Sequence, residues 1–139
     1  MRKTGEVANA QANERRMLET IRVADIVTVT AFHKERMTVD VKPIVKRELS
    51  GTFISPPPIL GVKVAYIPHI VTTEVEVEGK RGTGKGIVTP DIKPGDIGAV
   101  VYLDLDSDIS IATGGESGPN SCRLHSGDDA VFVGIIIPG

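Results

Sequence analysis

The chain has 139 residues and a mass of 14.8 kDa, room for one domain that buries roughly two thirds of its unfolded surface. Its 40% apolar share is carried mostly by Val and Ile, with six Leu, three Phe, two Tyr and no Trp, while fifteen Gly and nine Pro cut the apolar runs short. This composition excludes a helical bundle or a doubly wound α/β domain and makes antiparallel β the default. A net charge of −2 gives no global positive field for nucleic acid or anionic membrane, and one Cys excludes an internal disulfide.

Residues 1–20 read as a short N-terminal helix or extension, with a thin stripe of Ala8, Ala10, Ala12, Met17 and Leu18 able to dock on a sheet or a neighbouring subunit. The segment is too polar for a signal peptide, and no apolar run reaches the roughly 20 residues of a spanning helix, so synthesis in a reducing cytosol is expected. Residues 21–139 read as the barrel domain, and from IRVADIVTVTAF the period changes to two. Val23, Val27, Val29 and Ala31 share one parity; after a turn at HKER, so do Met37, Val39, Val41 and Val45, a hairpin pattern. Pro56, Pro57 and Pro58 predict a stiff extended connector before the strand GVKVAYI. In the next strand Val71, Thr73, Val75 and Val77 oppose a wet face of Thr72, Glu74, Glu76 and Glu78. KRGTGKG is expected to be a loop, and Pro94–Gly95 a turn into a strand where Ile97, Ala99, Val101, Leu103 and Leu105 share a face. SDISIATGGESGPNSCRL reads as a short strand and a flexible loop. In AVFVGIII, Val131, Val133, Ile135 and Ile137 occupy one face and Phe132 and Ile136 the other. Both faces need cover, which points to a partner subunit or the N-terminal helix.

None of the candidate chemistry outweighs its plainer explanation. Gly79, Gly84 and Lys85 have the separation of a phosphate-binding loop, yet Gly86 stands where Ser or Thr must reach magnesium and no helix follows. Lys80, Arg81 and Lys85 instead suit a basic hairpin loop touching an acidic surface or phosphates. Asp104, Asp106 and Asp108 alternate as calcium ligands can, but an extended strand holds them too far apart for one ion. Ser126, His125, Asp128 and Asp129 contain the residue types of a hydrolytic triad without the fold-imposed separation a triad needs. His33 and His69 lie beside turns, and Cys122 reads as a minor buried or loop residue. The glycines shape turns, bulges and close strand approaches in a barrel. No catalytic, cofactor or metal residues are assigned. The residues expected to make contacts are Met17 and Leu18, the strand residues 131–133 and 135–137, and Lys80, Arg81 and Lys85.

The succession RVADIVTVTAFHKERMTVDVKPIV, PPPILGVKVAYI, IKPGDIGAVVYLDLDSDI and CRLHSGDDAVFVGIIIPG resembles the N-terminal OB-like domain of phage baseplate central spike proteins, the membrane-puncturing devices of contractile tails. The resemblance spans about residues 21–139. It implies a small five-stranded antiparallel barrel with a short N-terminal helix, trimeric and coaxial with the tail tube. His125, Asp128, Asp129 and Ala130 would mark the family phrase before a last strand near an intersubunit contact. Longer members continue into a β-helical needle, whereas this chain stops at Gly139, so a spike base, hub plug or adapter to a separately encoded tip fits best. The expected partners are further copies of the chain, baseplate hub and tail tube proteins and a separate tip protein, in the virion tail, with no small-molecule substrate. The alternative is a nucleic-acid-binding OB domain, which needs an aromatic stacking platform beside a basic groove; Phe32, Phe53, Tyr66, Tyr102 and Phe132 form no such pattern.

Overall fold

The alternating valines do become strands. The structure is a computed structural model describing residues 2–139, with the side chains at positions 2–4, 16, 18–20 and 49 outside the described set. Strands β1 (Ala24–His33) and β2 (Thr38–Pro43) form the expected hairpin, with Val27, Val29, Val39 and Val41 shut off from solvent. Parity predicted Ala31 inside as well, but Thr30 is an extra residue in the ladder: Val29 pairs with Val41 and Ala31 with Asp40. The bulge reverses the parity, so Phe32, opposite buried Val39, packs on the core in place of Ala31. Val45 lies beyond β2 and is exposed.

A small hairpin, β3 (Arg47–Leu49) and β4 (Thr52–Ile54), turns on Ser50 and Gly51, both at positive φ, before the proline run. The proline run holds its place through Lys42, whose ammonium donates to the Pro56 carbonyl at 2.9 Å. Then follow β5 (Ile59–Val64), the long pair β6 (His69–Val77) and β7 (Lys80–Val88), and β8 (Ile97–Tyr102). The stretch after β8, expected to begin with a strand, contains a helix of one and a half turns, Asp108–Thr113, closed by Gly114 at φ 70. A 3₁₀ turn, Gly127–Asp129, leads into β9 (Ala130–Ile137).

Five strands close a barrel in the order β1-β2-β5-β9-β8, with β8 pairing back onto β1. Its neighbours are antiparallel except β5 and β9, which run parallel through Lys63–Val131 and Val64–Phe132. A fully antiparallel ring is impossible with five strands, because directions cannot alternate around an odd number. The order and the single parallel seam are those of an OB-like barrel. The fold is therefore mainly β, with this barrel and an N-terminal helix.

Valines from β1, β2, β5 and β8 close on Phe132 of β9, which is 1% exposed; burying such a ring contributes about 2–3 kcal/mol. Its space comes from Gly98: a Cβ there would lie 2.4 Å from the Phe132 ring and 2.5 Å from the Gly134 carbonyl oxygen. The inward residues of β8 are consequently Gly98, Val100 and Tyr102, while Ile97, Ala99 and Val101 are only half-buried on the other face. The N-terminal helix spans Arg2–Thr20, and its described side chains, Met17 included, are exposed. Leu18 has no described side chain, so the expectation placed on it lies outside the described residues.

Candidate interaction surfaces and the charged lock beside them

β9 begins inside the barrel and ends outside it. Ala130 and Phe132 are buried, so Phe132 serves the core of its own chain rather than a partner, and Val131 is half-buried. Beyond the last β5 pair the strand runs on: Val133, Ile135, Ile136 and Ile137 are all exposed, on both parities. Only β8 accompanies this stretch, so along its other edge no strand is paired among the described residues. The far end is tethered. Gly139 N–H donates to Asp96 Oδ1 at 2.7 Å and Lys93 N–H to Asp96 Oδ2 at 2.8 Å. These two backbone donors hold the buried Asp96 carboxyl below its ordinary range. The Pro-Gly-Asp turn thus anchors the backbone just after β9.

The segment KRGTGKG is not a loop. It is strand, paired residue for residue with β6, and the connection is the two-residue turn Glu78–Gly79 with φ 53 and 75. That places Lys80, Arg81 and Lys85 along a strand, and with no helix following, the likeness to a phosphate-binding loop ends. Register sorts the arm into two faces. On one, Val71, Thr73 and Val75 stand opposite Gly86, Gly84 and Gly82; on the other, Thr72, Glu74 and Glu76 stand opposite Lys85, Thr83 and Arg81. Every residue of both strands is exposed, Val75 at 52% and Val77 at 63%. A two-stranded hairpin with neither face covered is marginal in water.

Among the described residues the densest charge cluster gathers around Arg123, beside the short helix. The Arg123 guanidinium donates from Nε to Asp129 Oδ2 at 2.8 Å and from Nη2 to Asp106 Oδ1 at 2.9 Å, and lies 2.8 Å from Asp108 Oδ2. Asp106 and Asp129 are buried; Asp108 is exposed. Arg123 leads in holding the Asp129 carboxyl below its usual range, while the Asp108 N–H and the Ser121 hydroxyl do most of this for Asp106. The arginine in turn is held even more firmly protonated than usual. Carboxylate oxygens of Asp106, Asp108 and Asp129 come within 4.8 Å of one another, but the cation among them is the guanidinium. Asp104, placed in this row by spacing, sits apart, 3.7 Å from His125 Nε2. Sequence spacing missed Arg123; the signal was that it is the sole Lys or Arg after Lys93, between the aspartates 104–108 and the pair Asp128–Asp129.

The phrase before β9 is explained locally. Ser126 Oγ accepts the Asp128 N–H at 3.2 Å and caps the 3₁₀ turn, so it is not aimed at His125, whose backbone sits at φ 46. His33 pairs with Asp40 at 3.0 Å beside an open hollow of about 320 Å³, and His69 opens β6 in solvent. Cys122 is exposed. The aromatic residues are dispersed: Phe132 and Tyr102 in the core, Phe32 against it, Phe53 and Tyr66 singly on the surface. Tyr102 donates to Asp25 Oδ2 at 2.7 Å; burial, then this carboxylate, pushes its pKa up to about 12. No family model matches the chain, and no curated protein shows significant similarity to it.

Proposed function

We propose that the chain is a structural component of a phage or phage-like tail baseplate, a homotrimer forming the base of the central spike or a plug or adapter on the tail axis. The observation carrying this reading is a closed OB-like barrel that leaves residues 133–137 of β9 apolar on both parities beside an unpaired strand edge. Such an edge invites pairing with another chain unless it is covered. The sequence resemblance supplies the setting, and the dispersed aromatics weigh against the nucleic-acid alternative. The partners would be copies of the same chain, the hub and tube proteins, and a separately encoded tip. A three-fold object on the axis can join ring-shaped tube components to a pointed tip.

The test is sedimentation of the purified chain at micromolar concentration, followed by co-expression with the hub and tube proteins of the same genome. A trimer that enters a hub complex supports the reading, with Ile135→Asp and Ile137→Asp weakening both steps. A monomer that joins no tail protein overturns it, as does salt-sensitive oligonucleotide binding by the monomer.

A further inference from the structure

Three properties of the β6–β7 arm suit it to meet further copies of itself. First, Gly82, Gly84 and Gly86 alternate along a strand interior, where glycine is unfavourable. None has a positive φ, and a Cβ would meet nothing closer than 3.9 Å at Gly82, 3.5 Å at Gly84 and nothing within 4 Å at Gly86. Neither backbone nor neighbours within the chain require glycine, which leaves close approach by something outside it. Second, charge is segregated by strand: β6 carries Glu74 and Glu76 and no Lys or Arg, while β7 carries Lys80, Arg81 and Lys85 and no acid. Third, the arm is a two-stranded sheet, so the outer edges of both strands lack a ladder.

We infer that the arms of three copies close edge to edge into a six-stranded antiparallel barrel, β6 of each copy pairing with β7 of the next. This rests on the homotrimer proposed above and names the surface through which its copies meet. With the arms side by side about a common axis, β6 of one copy runs opposite to β7 of its neighbour, and an even number of strands closes without a parallel seam. Valine strands then alternate with glycine strands around the interior, large against small, as a narrow barrel requires. Outside, above the Ile70–Ile87 pair at the base of the arm, each acidic strand lies beside a basic one on both sides, which makes the copies complementary head to tail. Lys80, opposite Val77 at the tip, reaches water from the open end. One arm face measures roughly 30 by 10 Å, about 300 Å². This falls short of the roughly 800 Å² per partner of a stable pair, so the arms add to the β9 contact and do not replace it.

The experiment measures the association constant by sedimentation, and amide exchange along β6 and β7, for the full chain. Glu74→Lys with Glu76→Lys, or Arg81→Glu with Lys85→Glu, should each weaken association roughly tenfold by setting like charges side by side between copies as well as across the arm. The fourfold reversal should restore it. Amide exchange of the monomeric variants separates the two effects, because the inward β6–β7 amides stay protected if the hairpin survives. Gly84→Val, a change that favours an isolated strand, should weaken association as well, and the outward amides of both strands should be protected in the trimer. A trimer in which these variants associate as tightly as the parent and the outward amides exchange freely overturns the arm barrel while leaving the trimer standing. A parent chain that stays monomeric overturns both. Thermal unfolding of each variant confirms that the five-stranded barrel, which shares no ladder with the arm, is intact.

Discussion

Single residues in this molecule mostly set electrostatic and steric conditions for the barrel. Arg123 neutralises two carboxylates that the fold has already buried, and removing it strands them without a counter-charge. Arg123→Leu should lower Tm by roughly 5–10 °C, read by circular dichroism, and Asp129→Asn in the same chain should recover part of that loss. The pH response follows from depressed carboxyls at Asp40, Asp96, Asp106 and Asp129. An unfolded chain binds more protons than the folded one here, so their contribution is complete above the unfolded value near 4 and is lost as pH falls below it. Denaturant midpoints measured from pH 6 to pH 3 should decline, and Arg123→Leu should flatten the decline. Tyr102 acts at the other extreme: with its pKa raised to about 12, its contribution is complete below pH 10 and disappears as pH rises through 12. Gly98→Ala drives a methyl into the Phe132 ring and should cost about 1–3 kcal/mol in chemical denaturation, partly relieved by Phe132→Leu.

At the scale of elements, the arm is separable from the barrel. His69 and Val88 pair at its base, so the chain leaves and returns at neighbouring points. Replacing residues 70–87 by a two-residue Asn-Gly turn should leave the barrel's Tm within a few degrees of the parent while reducing association. Much of the element pattern was legible. The β1–β2 hairpin, the alternation in β2, the valine and glutamate faces of β6 and the Pro-Gly turn before β8 are local signals that tertiary packing did not override. The misreadings have local causes too. Three glycines made β7 look like a loop, because strand pairing can hold glycines that propensity alone would reject. The bulge at Thr30 reversed the inward parity of β1, and Asp108–Thr113 is too short for its period to be read.

For the whole molecule, what matters is how much apolar surface folding leaves uncovered. The barrel core is complete within one chain, whereas the end of β9, the arm's valine face and Met17 remain exposed. The apolar surface on the arm and the end of β9 is more than scattered single residues explain, and it supports the proposed assembly. Association through these surfaces should raise Tm with protein concentration, a dependence absent from Ile135→Asp and measurable by calorimetry over a tenfold dilution series.

Period and composition were enough for the β class, most strand positions and the excess of apolar surface in the last strand. Tertiary packing alone settled which half of β9 is core and which is surface, because the β5 seam ends at Phe132 and no local pattern marks where a neighbouring strand stops. It also brought Asp106, Arg123 and Asp129 together across the loop between β8 and β9, a meeting set by barrel closure and not by spacing. The chain length first suggested a self-contained domain; the barrel core is complete within one chain, and the exposed arm and strand end are the surfaces the proposed assembly would cover.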